Sequence, residues 1–159
     1  MMMIGLDLGT RDNLGVAKYQ KKTWTCSTVV LAPKQSTRID ERLWRFKNQL
    51  YQWFAEGVQV FVYEKPHKKN PKVNIDALLM LEGVLRSECF GQGGIVLVYA
   101  NIKKVKLHAT QNGRAAKPLI VAAAKEKWPD LNITDDNQSD ALFILDYAME
   151  KLLKGKQYE

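Results

Sequence analysis

The stretch MMMIGLDLGTRDNLGVAKY, residues 1–19, has the pattern that opens the predicted sheet, and it contains one carboxylate inside an apolar run. Residues 3–8 have the pattern of a buried strand, yet Asp7 lies within them. Burying an ionised carboxylate costs several kcal/mol unless a cation or hydrogen-bond donors meet it. Two explanations are open at this point: Asp7 starts a turn with Gly9 and Thr10, or it is a functional group.

Composition and charge narrow the class of protein. The chain has 159 residues, of which 46% are hydrophobic and 26% charged, values typical of one globular domain. Its net charge of +7 indicates a polyanionic partner, either nucleic acid or an anionic membrane surface. No apolar run approaches the roughly 20 residues that span a bilayer, so we expect no membrane segment. Cys26 and Cys89 lack metal-ligand spacing and imply no disulfide framework, so we expect a reducing, intracellular compartment.

The order of elements predicts an α/β fold. Three β-rich runs at the start are joined by the short turns GTRDN and QKKT, which predicts an antiparallel meander. Strands are then predicted at 58–63 and 94–99, and helices at 73–88, 116–127 and 137–154, with His108 on a short helix of its own. We therefore expect a mixed five-stranded sheet, with three antiparallel strands and then two parallel strands, flanked by helices. It should form a single domain over 1–154 with a flexible polar tail at 155–159.

A further helix is predicted between the meander and the strand at 58–63. Ser36 or Thr37 is positioned to cap it, and Gly57 is positioned to end it. Its aromatic side chains Trp44, Trp53 and Phe54 are expected in the core.

Acidic residues lie at positions where the predicted fold would bind ligands. Glu64 directly follows a predicted buried strand, and Asp7 lies near the end of the first. Open α/β sheets bind ligands at the carboxyl ends of their strands. Asp136 and Asp140 share one face of the last helix at i, i+4. Asp135 and Asp136 are equally well explained as helix caps, whereas Asp140 falls among core residues.

Convergence of Asp7, Glu64, Asp136 and Asp140 would require metal ions, because four close carboxylates repel one another. Two Mg²⁺ ions, for which Mn²⁺ can substitute, would compensate that charge. Paired ions of this kind hydrolyse phosphodiesters by activating water and stabilising the leaving oxygen. The hypothesis explains why Asp7 is tolerated within a buried strand.

Three motifs that contain these acids resemble a known family. IGLDLGTRDNLGVAKY, FVYEKP and DDNQSDALFIL resemble the acidic motifs of RuvC-type Holliday junction resolvases in the RNase H-like nuclease superfamily. The segment 105–128 resembles the basic segment that precedes the last helix of that family. The resemblance implies that Asp7, Glu64 and Asp140 are catalytic metal ligands. At the position where the family has an acid or a histidine this chain has Asn137, and Asp136 is a possible replacement for it.

The resemblance also implies an activity and an assembly. It implies a metal-dependent endonuclease that cleaves four-way DNA junctions as a homodimer, with the helix at 73–88 as the interface between copies. Lys106 and Lys117 match basic residues that handle phosphate, and we assign Lys117 a catalytic role. Compact members of the family are found in bacteriophages, so we expect the cytoplasm of a bacterium, or of a host cell for a phage protein.

Basic clusters flank the predicted acidic centre. We expect two segments, KPHKKNPK at 65–72 and KKVK at 103–106, to bind DNA phosphates on either side of the cleaved bond. The candidate DNA-binding residues are Lys65, His67, Lys68, Lys69, Lys72, Lys104, Lys106 and Arg114.

Three other interpretations compete with a junction resolvase. DLGT also resembles a phosphate loop of actin-like and sugar-kinase ATPases, but 159 residues are too few for their two domains. A YqgF-type nuclease acting on RNA would share the opening motif, yet there the strand at 58–63 typically runs into a turn without a catalytic glutamate. The chain could also be a non-catalytic basic module that binds nucleic acid, with its acids serving only as caps and turn formers.

Overall fold

Three strands formed by the first thirty residues make the antiparallel half of a sheet. In the computed structural model, which describes residues 1–8, 12–66, 75–152 and 154, β1 is Met2–Asp7, β2 is Asn13–Gln20 and β3 is Thr23–Val30. Both neighbouring pairs are antiparallel, so the predicted meander is confirmed. The turn between β2 and β3 consists of Lys21 and Lys22, whose positive φ angles of 51° and 66° suit a two-residue hairpin loop.

Two parallel strands complete the sheet. The chain continues through α1 (Ile39–Ala55), β4 (Val60–Glu64), α2 (Ile75–Gln92) and β5 (Val96–Ala100). The strand order is β3-β2-β1-β4-β5, with β4 parallel to both β1 and β5. The predicted mixed sheet, antiparallel and then parallel, is therefore confirmed. The remaining elements are α3 (Ile102–Thr110), α4 (Lys117–Lys127), α5 (Asp136–Tyr147) and a π-helical turn, Ala148–Leu152.

Each face of the sheet packs against its own layer of helices. Met3 of β1 and Val62 of β4 belong to a core shared with α4 and α5, whereas Leu6 of β1 and Phe61 of β4 belong to a core shared with α1 and α2. Because side chains alternate along a strand, the residues that continue the first set face α5. Asp7 in β1 and Glu64 in β4 are those residues.

Two glycines allow α5 to lie directly on the sheet. A Cβ atom at Gly15 would lie 2.0 Å from the carbonyl oxygen of Asn137, and one at Gly5 would lie 2.6 Å from the carbonyl oxygen of Ala141. Gly15 pairs with Asp7 in the β1–β2 ladder. The missing side chain therefore brings the first turn of α5 beside Asp7.

Several details differ from the sequence-based expectations. The cap of α1 is Arg38 without a side-chain cap bond; Thr37 Oγ1 instead accepts from the Lys34 amide at 3.2 Å. Trp53 is buried as predicted, but Trp44 is 62% exposed, so its assignment to the core is wrong. The helix predicted to end at 88 continues to Gln92, and Gly93 follows it with a φ of 72°.

Some predictions fall on residues that the structure does not describe. They concern His67, Lys68, Lys69 and Lys72 of the basic loop and the tail at 155–159. Among the described residues, no helix is both long and apolar enough to cross a membrane.

Candidate active site

Adjacent parallel strands end in two of the predicted acids. Leu6 pairs with Tyr63, so Asp7 and Glu64 are the next residues along β1 and β4. Both belong to the face of the sheet that α5 covers. Asp7 is only 5% exposed. The carboxyl edge of the sheet thus presents two neighbouring, largely buried carboxyl groups, as the hypothesis of a metal centre requires.

Asp140 of α5 is electrostatically coupled to this pair. Burial and the charge of Asp140 raise the pKa of Glu64 to about 7, although Lys106 opposes the shift. Burial also raises the pKa of Asp140 to about 6; the charge of Asp136 adds to this shift, while Lys117 and Lys106 reduce it. Each carboxyl group therefore becomes harder to ionise as its neighbours ionise. The protein side chains alone leave the negative charge of the site under-compensated.

Lys117 interacts with the three predicted aspartates, Asp7, Asp136 and Asp140. Its Nζ contacts the carboxylate of Asp136. Burial acts against the ammonium charge, but the hydrogen bond to Asp136 and the charges of Asp136, Asp140 and Asp7 raise the pKa of Lys117 overall. The same hydrogen bond lowers the pKa of Asp136. Lys117, the first residue of α4, is thus held as a cation facing all three aspartates.

Lys106 places a second cation at the same centre. It lies on α3, and its Nζ donates to the carbonyl oxygen of Ala115 at 3.1 Å. Its charge acts on both Glu64 and Asp140. The structure therefore brings together all five predicted catalytic residues and Lys106. The other described candidates for DNA contact, Lys65, Lys104 and Arg114, are exposed.

The start of α5 is held by a polar network. Asp135 is the N-cap and accepts from the Gln138 amide at 2.8 Å, so its predicted role as a cap is confirmed. Gln138 Nε2 donates to Thr28 of β3 at 3.0 Å, which ties the helix to the sheet. Asn137 is buried, and in the described part of the chain its Oδ1 has no hydrogen-bond partner. The first turn of α5 therefore offers a neutral oxygen atom that could coordinate a metal ion, at a position in the sequence between Asp136 and Asp140.

The donor set fits a hard divalent cation. Mg²⁺ and Mn²⁺ bind carboxylate and amide oxygens, and every candidate ligand offers one. No three of the four predicted acidic ligands, all of them among the described residues, bring their carboxylate oxygens within 4.8 Å of one another. Such spacing is compatible with ligands divided between two ions and with the mutual repulsion of the carboxylates.

A second polar cluster, which sequence analysis did not identify, lies at the other end of α5. His108, Asp146 and Glu150 place their ligand atoms within 4.8 Å of one another. His108 Nε2 lies 2.6 Å from Asp146 Oδ2, and the Lys127 ammonium contacts the same carboxylate. Because Lys127 already balances this charge, we interpret the cluster as an ion-pair network that ties α3 and α4 to α5.

Comparison with known proteins identifies the fold. No family model and no curated protein matches the chain. Its structure is similar to that of Thermus thermophilus RuvC, with a TM-score of 0.71 and 17% identity over 94% of this chain and 96% of that one. The chain has the RNase H-like fold of RuvC.

Two further structures with similar folds contain DNA. One is T. thermophilus RuvC in complex with a Holliday junction substrate, with a TM-score of 0.70 and 15% identity over 95% of this chain and 96% of that one. The other is the complex of Fowlpox virus resolvase with its substrate Holliday junction DNA, with a TM-score of 0.59 and 16% identity over 97% of this chain and 100% of that one. The predicted RNase H-like fold is confirmed by these similarities and by the strand order.

Proposed function

We propose that this protein is a metal-dependent, structure-selective DNA endonuclease that cleaves four-way junctions. The observation that carries the proposal is the convergence of Asp7, Glu64 and Asp140 with Lys117 at the carboxyl edge of a RuvC-like sheet. The net charge of +7 supports a polyanionic substrate. Junction DNA as the substrate is supported by RuvC and the Fowlpox virus resolvase, two proteins of similar fold whose structures contain it.

The four acids would hold the divalent cations, two Mg²⁺ or Mn²⁺ ions per site. When bound, such ions supply water activation and neutralise charge at the leaving oxygen. Asp7 and Glu64 are fixed by the sheet, and Asp140 is fixed by the close contact of α5 with Gly15. A rigid scaffold of this kind limits the movement of the ligands, which favours precise placement of the reacting phosphate.

Lys117 would stabilise the negative charge that builds on the phosphate during cleavage. Its ammonium is paired with Asp136. Bound cations would neutralise the carboxylates, and the Lys117 ammonium would then be available to a phosphate oxygen close to the acids. The amino end of α5 adds a favourable partial positive charge to the same region.

The protein would act as a homodimer, because two symmetric incisions need two active sites related by a twofold axis. Leu79, Met80 and Phe90 of α2 are exposed by 44%, 47% and 89%, an apolar surface that a second copy would cover. Gly83 on the same helix has open space around its Cβ position, so a partner helix can approach closely there. We propose that the whole unit, 1–154, works as one domain in a bacterial or host-cell cytoplasm.

A cleavage assay with three substrates tests the proposal. A synthetic four-way DNA junction, a linear DNA duplex of the same arms and the matching RNA are incubated with Mg²⁺, with Mn²⁺ or with a chelator. We expect cleavage of the junction only with metal, and none by Asp140→Asn, whose binding of the junction is retained. Preferential cleavage of RNA would favour a YqgF-type activity. Binding without cleavage under every condition would leave only a nucleic-acid-binding module.

A further inference from the structure

An exposed tyrosine lies one strand away from Glu64, on the face of the sheet opposite to the one that carries the proposed catalytic acids. Tyr99 is the penultimate residue of β5, the edge strand, and is 62% exposed. Its backbone pairs with Tyr63, and the next pair along the ladder is Glu64 with Ala100. Because neighbouring strands are about 4.8 Å apart, Tyr99 begins one strand and one residue away from Glu64.

The exposed ring of Tyr99 carries a cation. The Nζ of Lys65, the residue that follows Glu64, lies 5.4 Å from the centre of the ring. The neighbouring Tyr63 behaves differently: it is buried, and its hydroxyl donates to Glu82 at 2.9 Å. Of these two paired tyrosines, one is therefore committed to the core and the other presents its ring to solvent beneath an ammonium group.

The Tyr99 ring and the Lys65 ammonium are suited to bind the base and the phosphate of a nucleotide, respectively. An aromatic face stacks on a nucleobase, and a lysine beside it pairs with the adjoining phosphate. The phosphate would replace Tyr99 as the partner of the Lys65 ammonium, which frees the ring face that the ammonium now covers. Bases within a continuous duplex are already stacked on both sides, so only an unstacked base can use this ring.

We infer that Tyr99 stacks on a nucleobase that is unstacked at the branch point of the DNA, with Lys65 on the neighbouring phosphate. The inference rests on the proposed nuclease function and adds a physical reason for structure selectivity. A branch point exposes base faces that a linear duplex keeps covered. Tyr99 is accordingly a specificity-determining residue, distinct from the metal-binding acids.

The test uses four-way junctions that carry the fluorescent base 2-aminopurine at the branch point, with Ca²⁺ in place of Mg²⁺ so that binding is read separately. We expect the wild-type protein to change the fluorescence on binding and Tyr99→Ala to abolish that change. Loss of one base–aromatic stack should weaken junction binding about tenfold, with the affinity for linear duplex unchanged. Tyr99→Phe keeps the ring and should behave as the wild type.

Tyr51 provides a matched control. It is also an exposed tyrosine with a lysine above its ring, because the Lys47 Nζ lies 5.6 Å from the ring centre. Tyr51 lies in the second half of α1, which ends near Met2 at the amino edge of the sheet. Tyr51→Ala should therefore leave both the fluorescence change and the junction affinity as in the wild type.

Three outcomes would overturn the inference. The first is wild-type fluorescence and junction affinity for Tyr99→Ala. The second is an equal loss of affinity for junction and linear duplex, which would make Tyr99 a general backbone contact. The third is a change in molar mass for Tyr99→Ala in light scattering, which would place Tyr99 between copies of the chain. None of them would affect the proposed nuclease, whose own test is metal-dependent cleavage by the wild type.

Discussion

Gly15→Ala should separate α5 from the sheet at the point where the proposed catalytic acids meet. The new Cβ atom would lie 2.0 Å from the carbonyl oxygen of Asn137 and 2.4 Å from its carbonyl carbon. Ordinary van der Waals contact begins beyond about 3.4 Å, so more than 1 Å of movement is needed. The position of a Cβ atom is fixed by the backbone that carries it, and the two atoms it meets are backbone atoms of Asn137, so no side-chain rotation can relieve the contact.

Two magnitudes follow from this collision. Overpacking a well-filled core costs typically 1–3 kcal/mol, and we expect about 3 kcal/mol here because backbone must move. Displacing a catalytic group by about 1 Å can slow a reaction about a hundredfold. Asp140 lies one turn beyond Asn137, on the same rigid helix, and moves with it. Junction cleavage should therefore fall about a hundredfold under conditions in which the variant remains folded.

Chemical denaturation measures the first effect, and single-turnover cleavage of a four-way junction measures the second. Gly91→Ala is the matched control, because Gly91 lies in α2 with no atom within 4 Å of its Cβ position. Replacing this helical glycine by alanine should leave stability unchanged or raise it by up to about 1 kcal/mol. Wild-type stability together with a wild-type cleavage rate for Gly15→Ala would refute the proposed contact of α5 with β2.

Three other predictions concern the charges and the assembly. In the folded protein the pKa values of Glu64 and Asp140 are raised to about 7 and about 6, so the folded state holds protons that the unfolded state releases. The free energy of unfolding, measured with a metal chelator present, should therefore fall as the pH rises from about 4 to 7. Denaturation at several pH values should show a weaker pH dependence for Asp140→Asn, or for the wild type after Mg²⁺ is added. Lys117→Ala should reduce the single-turnover cleavage rate far more than junction affinity, and equal losses in both would make Lys117 a binding residue only. Leu79→Glu should convert the proposed dimer to a monomer in light scattering. Leu107 on α3 is also an exposed leucine, at 51%, and Leu107→Glu should leave the molar mass unchanged; a wild-type molar mass for both variants would exclude α2 as the interface.

Hydrophobic patterning was sufficient to predict the sheet. The meander, the two parallel strands and most of the helices follow from apolar periodicity and short turns, which act over a few residues. Trp44 shows a limit of reasoning from residue type, because its aromatic side chain predicts a place in the core and it is exposed. The periodicity of a helix reports which residues share a face, but only packing decides how wide the buried face is.

The candidate acids are recognisable in the sequence for a related reason. Asp7 was noticeable because it interrupts an apolar strand, and Asp140 because it lies among core residues of a helix. Burying a carboxylate is costly, so its presence in an apolar pattern is visible without coordinates. Asn137 gave a weaker signal, since a neutral amide at a helix start is ordinary, and only the structure shows its Oδ1 buried.

The sequence by itself determined the α/β class, the order of strands along the chain and which acids are candidates for the site, because each depends on local pattern or on the cost of a single buried charge. Only the tertiary structure decided which groups meet. The pairing of Lys117 with Asp136, the Lys65–Tyr99 contact and the approach of α5 to Gly15 join residues far apart in the chain. Such contacts depend on how strands and helices are placed in three dimensions, and no local pattern records that placement.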